Sequence, residues 1–149
     1  MKEKIRNKID QLHAKGAHYV DARWYPREDS NFLFMWNGNL KENNASSQNG
    51  IGVRVLYNGA WGFSASSDLS NPDAIFEKAF DNARIASERV TFPIRLAEKE
   101  AIVSSFTSPN RIDPFTVGLD EKVAFLQKMD AALNQPGVVQ RFGMLEFVR

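Results

Sequence analysis

Gly50 to Ser70 reads GIGVRVLYNGAWGFSASSDLS, and its spaced glycines are the pattern most suggestive of ligand chemistry. Such glycines cradle phosphate when they lead from a strand into a helix whose first N–H groups meet the anion. Here the following residues alternate as a strand does, valine stands at position 55 where a third glycine belongs, and no Gly-Lys-Ser/Thr follows. The spacing therefore predicts glycines inside a strand, where they mark a bulge or a close approach of backbone.

Other reactive residue types give no stronger constellation. His13 and His18 are the only histidines and lie five apart with Gly16 between, so they miss the i, i+4 spacing of a helical zinc pair. Ser64, Ser66, Ser67, Ser104 and Ser105 fall outside any Gly-x-Ser-x-Gly turn, with neither histidine placed as a base. The acidic neighbours Asp120 with Glu121, and Glu98 with Glu100, read as solvated faces. No residue is assigned a catalytic or metal-binding role.

Aromatics offer binding rather than catalysis. Trp24, Tyr25, Phe32, Phe34, Trp36, Trp61 and Phe63 lie on expected strands among Arg23, Arg27 and Arg54. That mixture could stack single-stranded nucleic acid, or it could be a sheet core under amphipathic helices, the arrangement favoured here because the helices need an apolar partner.

The elements that position these residues follow from periodicity. Ile5, Ile9 and Leu12 mark a short amphipathic helix ending near Gly16. HYVDARWYP alternates as a first strand, SNFLFMW as a second, and Asn37-Gly38 turns it into a third running into the polar KENNASSQ, an edge or a mobile loop. Asn58-Gly59 closes a further hairpin in which Leu56 faces Trp61, Arg54 faces Phe63 and Gly52 faces Ala65. Ser70 or Asn71 caps a helix with Pro72 and Asp73 in its first turn and Ile75, Phe76, Ala79, Phe80, Ala83 and Ala86 on its apolar face. A connector holds a short strand near Ala101 to Phe106, a helix spans Leu119 to Leu133, and VVQRFGMLEFVR is a terminal strand lacking a hairpin partner. The expected fold is α+β: a mostly antiparallel sheet built from hairpins and packed by amphipathic helices. A boundary at residue 93 separates an N-terminal domain, 1–92, from a connector, helix and strand over 93–149 that begin the next region of a parent protein.

Composition bounds the function classes. The chain has 149 residues, 43% apolar and 25% charged, so it can bury a core. Its net charge of +1 provides no general field for nucleic acid or anionic lipid. It has no cysteine, which removes disulfides, thiol nucleophiles and Cys-bearing zinc sites. The charged N-terminus is neither a signal nor a span, and the expectation is a cytoplasmic protein without membrane partners.

Four pieces in order, GAHYVDARWY, GIGVRVLYNGAWGFSASSDLS, AIFEKAFDNARIAS and SPNRIDPFTVGLDEKVAFLQKMDAAL leading to MLEFVR, resemble the N-terminal part of the TldD/PmbA family. These are proposed zinc metalloproteases once described as modulators of DNA gyrase. The resemblance implies a longer parent whose zinc sits on a His-Glu-x-x-x-His helix in a C-terminal domain. That motif is absent here, so no cofactor is expected in this chain and no catalytic residue is carried over. It further implies a dimer, of identical or paralogous subunits, that encloses peptide or unfolded protein substrate. Gly52, Arg54, Trp61 and Phe63 are the expected peptide or partner contacts. The alternative is a free-standing binding or regulatory module for protein or nucleic acid, which the near-neutral charge disfavours.

Overall fold

A computed structural model describes Met1–Arg149. The elements are α1 (Lys2–Ala14), β1 (Tyr19–Trp36), β2 (Asn39–Tyr57), β3 (Ala60–Ser66), α2 (Pro72–Ser87), α3 (Leu119–Leu133) and β4 (Phe142–Val148). The strands form an antiparallel sheet in the order β3-β2-β1-β4, giving the α+β fold that the sequence implies.

Both tight turns use Asn-Gly as expected. Asn37 and Gly38 have φ of 46° and 76°, Asn58 and Gly59 44° and 79°, the left-handed pair that matches the twist of the flanking strands. Leu56 pairs with Trp61, Arg54 with Phe63 and Gly52 with Ala65, the register read from the sequence.

Residues fall into two compact units, Met1–Arg27 with Asn49–Ile102, and Glu28–Gln48 with Val103–Arg149. In the first, Leu12 of α1 and Ile75, Phe76, Ala79, Phe80 and Ala83 of α2 are buried with Val20, Ile51, Val53 and Val55 of the sheet. Alternation explains the sheet side: successive strand residues point to opposite faces, so only one set meets the helices. Helix α2 is anchored at its start, where Asn71 Oδ1 accepts from the Ala74 N–H at 3.4 Å with Pro72 beside it. It lies so close to β3 that a side chain at Gly62 would run into the backbone of Ala79 and Ala83. Lys8 pairs with Asp73 at 3.3 Å and Lys15 with Glu77 at 2.6 Å, joining α1 to α2.

In the second unit, α3 sets Leu126 and Val123 against Leu33, Met35 and Leu145. Asp130 and Arg141 pair at 3.1 Å with side chains only 12% and 13% exposed. Lys122, also buried, donates to Asn31 Oδ1 at 2.9 Å and stands over the Phe147 ring.

Several local expectations change. The first and second strands are one, because Pro26 removes a ladder donor without leaving extended backbone. The polar KENNASSQ is part of one long β2 with the Gly50–Tyr57 strand, tied by Ser30 to Ser46 at 2.8 Å, Gln48 to Glu28 at 2.7 Å and Asn31 to the Asn44 carbonyl at 3.1 Å. Ala101 to Phe106 forms no strand, having no ladder to join. The terminal strand does have a partner: β4 runs antiparallel to β1, with Leu33 opposite Leu145.

Candidate functional site

The first unit places a second, helix-free set of residues on the other face of its sheet. Val20, Ala22 and Trp24 pack toward the core, so Tyr19, Asp21, Arg23 and Tyr25 alternate to the opposite face. Val53 and Val55 are likewise buried, which puts Gly52 and Arg54 beside them on that face, and the hairpin register adds Trp61, Phe63 and Ala65.

At its centre the Arg54 guanidinium grips the Asp21 carboxylate. Arg54 Nε donates to Oδ1 at 3.2 Å and to Oδ2 at 3.0 Å, and a second guanidinium nitrogen also donates to Oδ2. The hydrogen bonds with Asp21, and then its charge, raise the Arg54 pKa above its ordinary value. The Tyr19 hydroxyl donates to the same Oδ2 at 3.3 Å. Arg54 also lies over the Trp61 ring, 5.4 Å from its centroid, and Tyr19 meets Trp61 edge to face at 5.9 Å. These contacts link Tyr19, Asp21, Arg54 and Trp61 into one network that restricts their rotamers.

Beside it runs a shallow trough of about 710 Å³. Gly50, Gly52 and Ala65 line it with little or no side chain, while Arg23 and Tyr25 from β1 and Phe63 from β3 supply its large side chains. Phe63 is 58% exposed and Tyr25 48%. The Phe63 ring lies 3.5 Å from where a Gly52 Cβ would sit, so part of the space this glycine opens is taken by its own hairpin. A smaller groove of about 520 Å³ lies where residues 93–98 pass His18, Tyr19 and Leu56, held by the Ile94 N–H on the Gly59 carbonyl at 2.9 Å.

All four residues singled out from the sequence, Gly52, Arg54, Trp61 and Phe63, therefore share this face. Sequence reasoning missed Asp21 and Tyr19 as their partners, and grouped Arg23 and Tyr25 with Arg54, Trp61 and Phe63 only in the stacking surface that it ranked below a sheet core. The alternation in HYVDARWY was the available signal, but it does not say which strand lies beside β2. The remaining residue types stay apart. His13 bonds the Ala17 carbonyl at 2.9 Å, and His18 Nδ1 accepts from the Asn58 N–H at 3.3 Å. Ser66 accepts from the Asp68 N–H at 3.0 Å. No three His, Asp or Glu side chains gather into a ligand set, so the residues present do not fit a zinc ion and no catalytic step is derived through one. No helix is long and apolar enough to cross a membrane.

Residues 21–83, which carry most of this face, match the family domain described as PmbA/TldA metallopeptidase domain 1. Over that stretch the chain is similar to domain 1 of the PmbA/TldD family. A metalloprotease of Methanocaldococcus jannaschii is 32% identical over 117 residues, covering 77% of the chain and 26% of that protein. Among solved structures, a proposed modulator of DNA gyrase from Bacteroides thetaiotaomicron matches 99% of the chain and 34% of its own length, at 10% identity and a TM-score of 0.63. TldE from Thermococcus kodakarensis matches 95% of the chain and 34% of its own length, at 15% identity and a TM-score of 0.58. These two likenesses speak for the fold. The chain spans about a quarter of the curated relative and a third of the solved ones.

Proposed function

We propose that this chain serves as the non-catalytic N-terminal domain of a PmbA/TldD-family zinc metallopeptidase, acting in the cytoplasm. In this reading the zinc and its ligands would belong to a C-terminal domain of the parent, where the metal would supply Lewis-acid chemistry for peptide hydrolysis. This domain helps enclose peptide or unfolded protein and contributes to a dimer with an identical or paralogous subunit. The observation that carries the reading is the domain-1 match over the same strands that build the helix-free face. Its side chains are suited to holding a chain, and none is poised as a nucleophile beside a base.

The test compares the full-length parent with the 149-residue chain on an unfolded peptide substrate. The parent is expected to hydrolyse it, to lose activity to a chelator and to regain it with zinc, whereas the chain alone is inactive. Phe63→Ser in the parent is expected to raise KM while leaving the zinc content unchanged. Hydrolysis by the chain alone, or a parent indifferent to chelation, would overturn the reading. Salt-sensitive binding of an oligonucleotide, with no peptidase activity in the parent, would favour the regulatory module instead.

A further inference from the structure

The trough beside the Asp21–Arg54 pair has an uneven charge. Asp21 is engaged by Arg54 and by the Tyr19 hydroxyl. Arg23, two residues along the same strand face, lines the trough with no ion-pair partner of its own. A guanidinium that lines the same trough as the Tyr25 and Phe63 rings and as Gly50 and Gly52 lacks a partner, and its natural complement is a planar carboxylate that meets the fork in two parallel hydrogen bonds. The floor adds a size rule. Gly50 and Gly52 add no side chain to the floor, so the space the Phe63 ring does not already take there is open to a ligand side chain, and the apolar walls favour an aromatic or aliphatic one.

The mode of contact is also constrained. Strand addition along β3 is obstructed, because Asn82 Nδ2 already donates to the outward Phe63 carbonyl at 2.9 Å. A ligand on this face is therefore read by side chains across the sheet. A single cation lining the trough of a chain of net charge +1 is far from the phosphate-tracking stripe that nucleic acid requires.

We propose that the trough binds an extended acidic peptide segment, with a carboxylate on Arg23 and a neighbouring apolar side chain over Gly50 and Gly52 between Tyr25 and Phe63. This inference rests on the proposed role of the face in peptide contact and adds a preference for acidic sequence.

The test measures fluorescence anisotropy of labelled acetyl-Ala-Phe-Glu-Phe-Ala amide, and of its Gln and Lys counterparts, against the 149-residue chain. The Glu peptide is expected to bind about tenfold more tightly than the Gln peptide, and the Lys peptide more weakly still. Arg23→Gln should level the three. Gly52→Val, which fills the floor, and Phe63→Ala, which removes a wall, should each weaken all of them while circular dichroism stays unchanged. Equal affinity for the three peptides, or a Glu preference that survives Arg23→Gln, overturns the acidic selectivity even if Gly52→Val abolishes binding. Binding untouched by Gly52→Val and Phe63→Ala overturns the trough as the site and, with it, the peptide-contact reading of this face. Tighter binding of labelled oligo-dT, lost in Arg23→Gln, replaces the peptide by single-stranded nucleic acid.

Discussion

Two glycines on the paired strands β2 and β3 do opposite jobs, and substitution separates them. At Gly62 the missing side chain lets α2 settle on β3, and a methyl there would meet the backbone of Ala79 and Ala83, which cannot rotate away. Gly62→Ala is expected to destabilise the chain by about 3 kcal/mol, at the upper end of overpacking, through forced separation of helix and strand. At Gly52 the same methyl finds only ordinary contact with the Phe63 ring at 3.5 Å. Gly52→Ala is expected to be neutral or to stabilise by up to about 1 kcal/mol, since it lowers the entropy of the unfolded chain. Urea midpoints of the two variants check both signs. Asp68 gives a pH prediction at the same scale. The Ser70 N–H donates to its carboxylate at 2.9 Å and holds its pKa below the ordinary range. A depressed folded pKa adds stability above about pH 4 that is lost as pH falls through the folded value. Asp68→Asn is therefore expected to flatten a small part of the acid limb, read from Tm against pH for both proteins, with the neutral range little changed.

Among the elements, α3 is tied to the residue that leads into β4 by a covered ion pair beside their apolar contact. Asp130 and Arg141 are almost wholly covered, so removing one leaves the other charged and unpaired. Asp130→Ala is expected to cost about 3 kcal/mol. Asp130→Leu with Arg141→Met should recover most of that loss, because no charge is then stranded; a denaturant series on both proteins decides it. This pair also shows where sequence reading stopped. The Asn-Gly turns, the Leu56–Trp61 register, a helix cap at Ser70 or Asn71 and the span of α3 were all legible because each is encoded within a few residues. The fusion of expected strands into β1 and β2 was not, because it depends on cross-strand bonds such as Ser30 to Ser46 and on β4 arriving beside β1. For the candidate site, the hairpin half was readable from its register. Its partner Asp21, 33 residues from Arg54, was not.

At the scale of the whole molecule the two units differ in how much apolar burial supports them. The first holds Phe76, Leu12, Val53 and Val55 fully buried among many buried neighbours. The second relies on Leu33, Met35 and Leu126, with Val123 and Leu145 half-buried around them. Local opening free energy follows buried apolar contact, so regions with few such contacts exchange amide protons sooner. Amides of α3 and β4 are therefore expected to exchange faster than those of α2 and β3 in native-state hydrogen exchange. Leu126→Ala and Phe76→Ala test whether the units open separately. Each deletes a fully buried side chain and should cost about 3–4 kcal/mol where it acts. If the units are separate cooperative bodies, Leu126→Ala accelerates exchange in α3 and β4 while α2 and β3 keep their protection, and Phe76→Ala accelerates exchange in α2 and β3 while α3 and β4 keep theirs. Equal acceleration everywhere by both would show one cooperative body, in which the first unit could not remain ordered while the second opened.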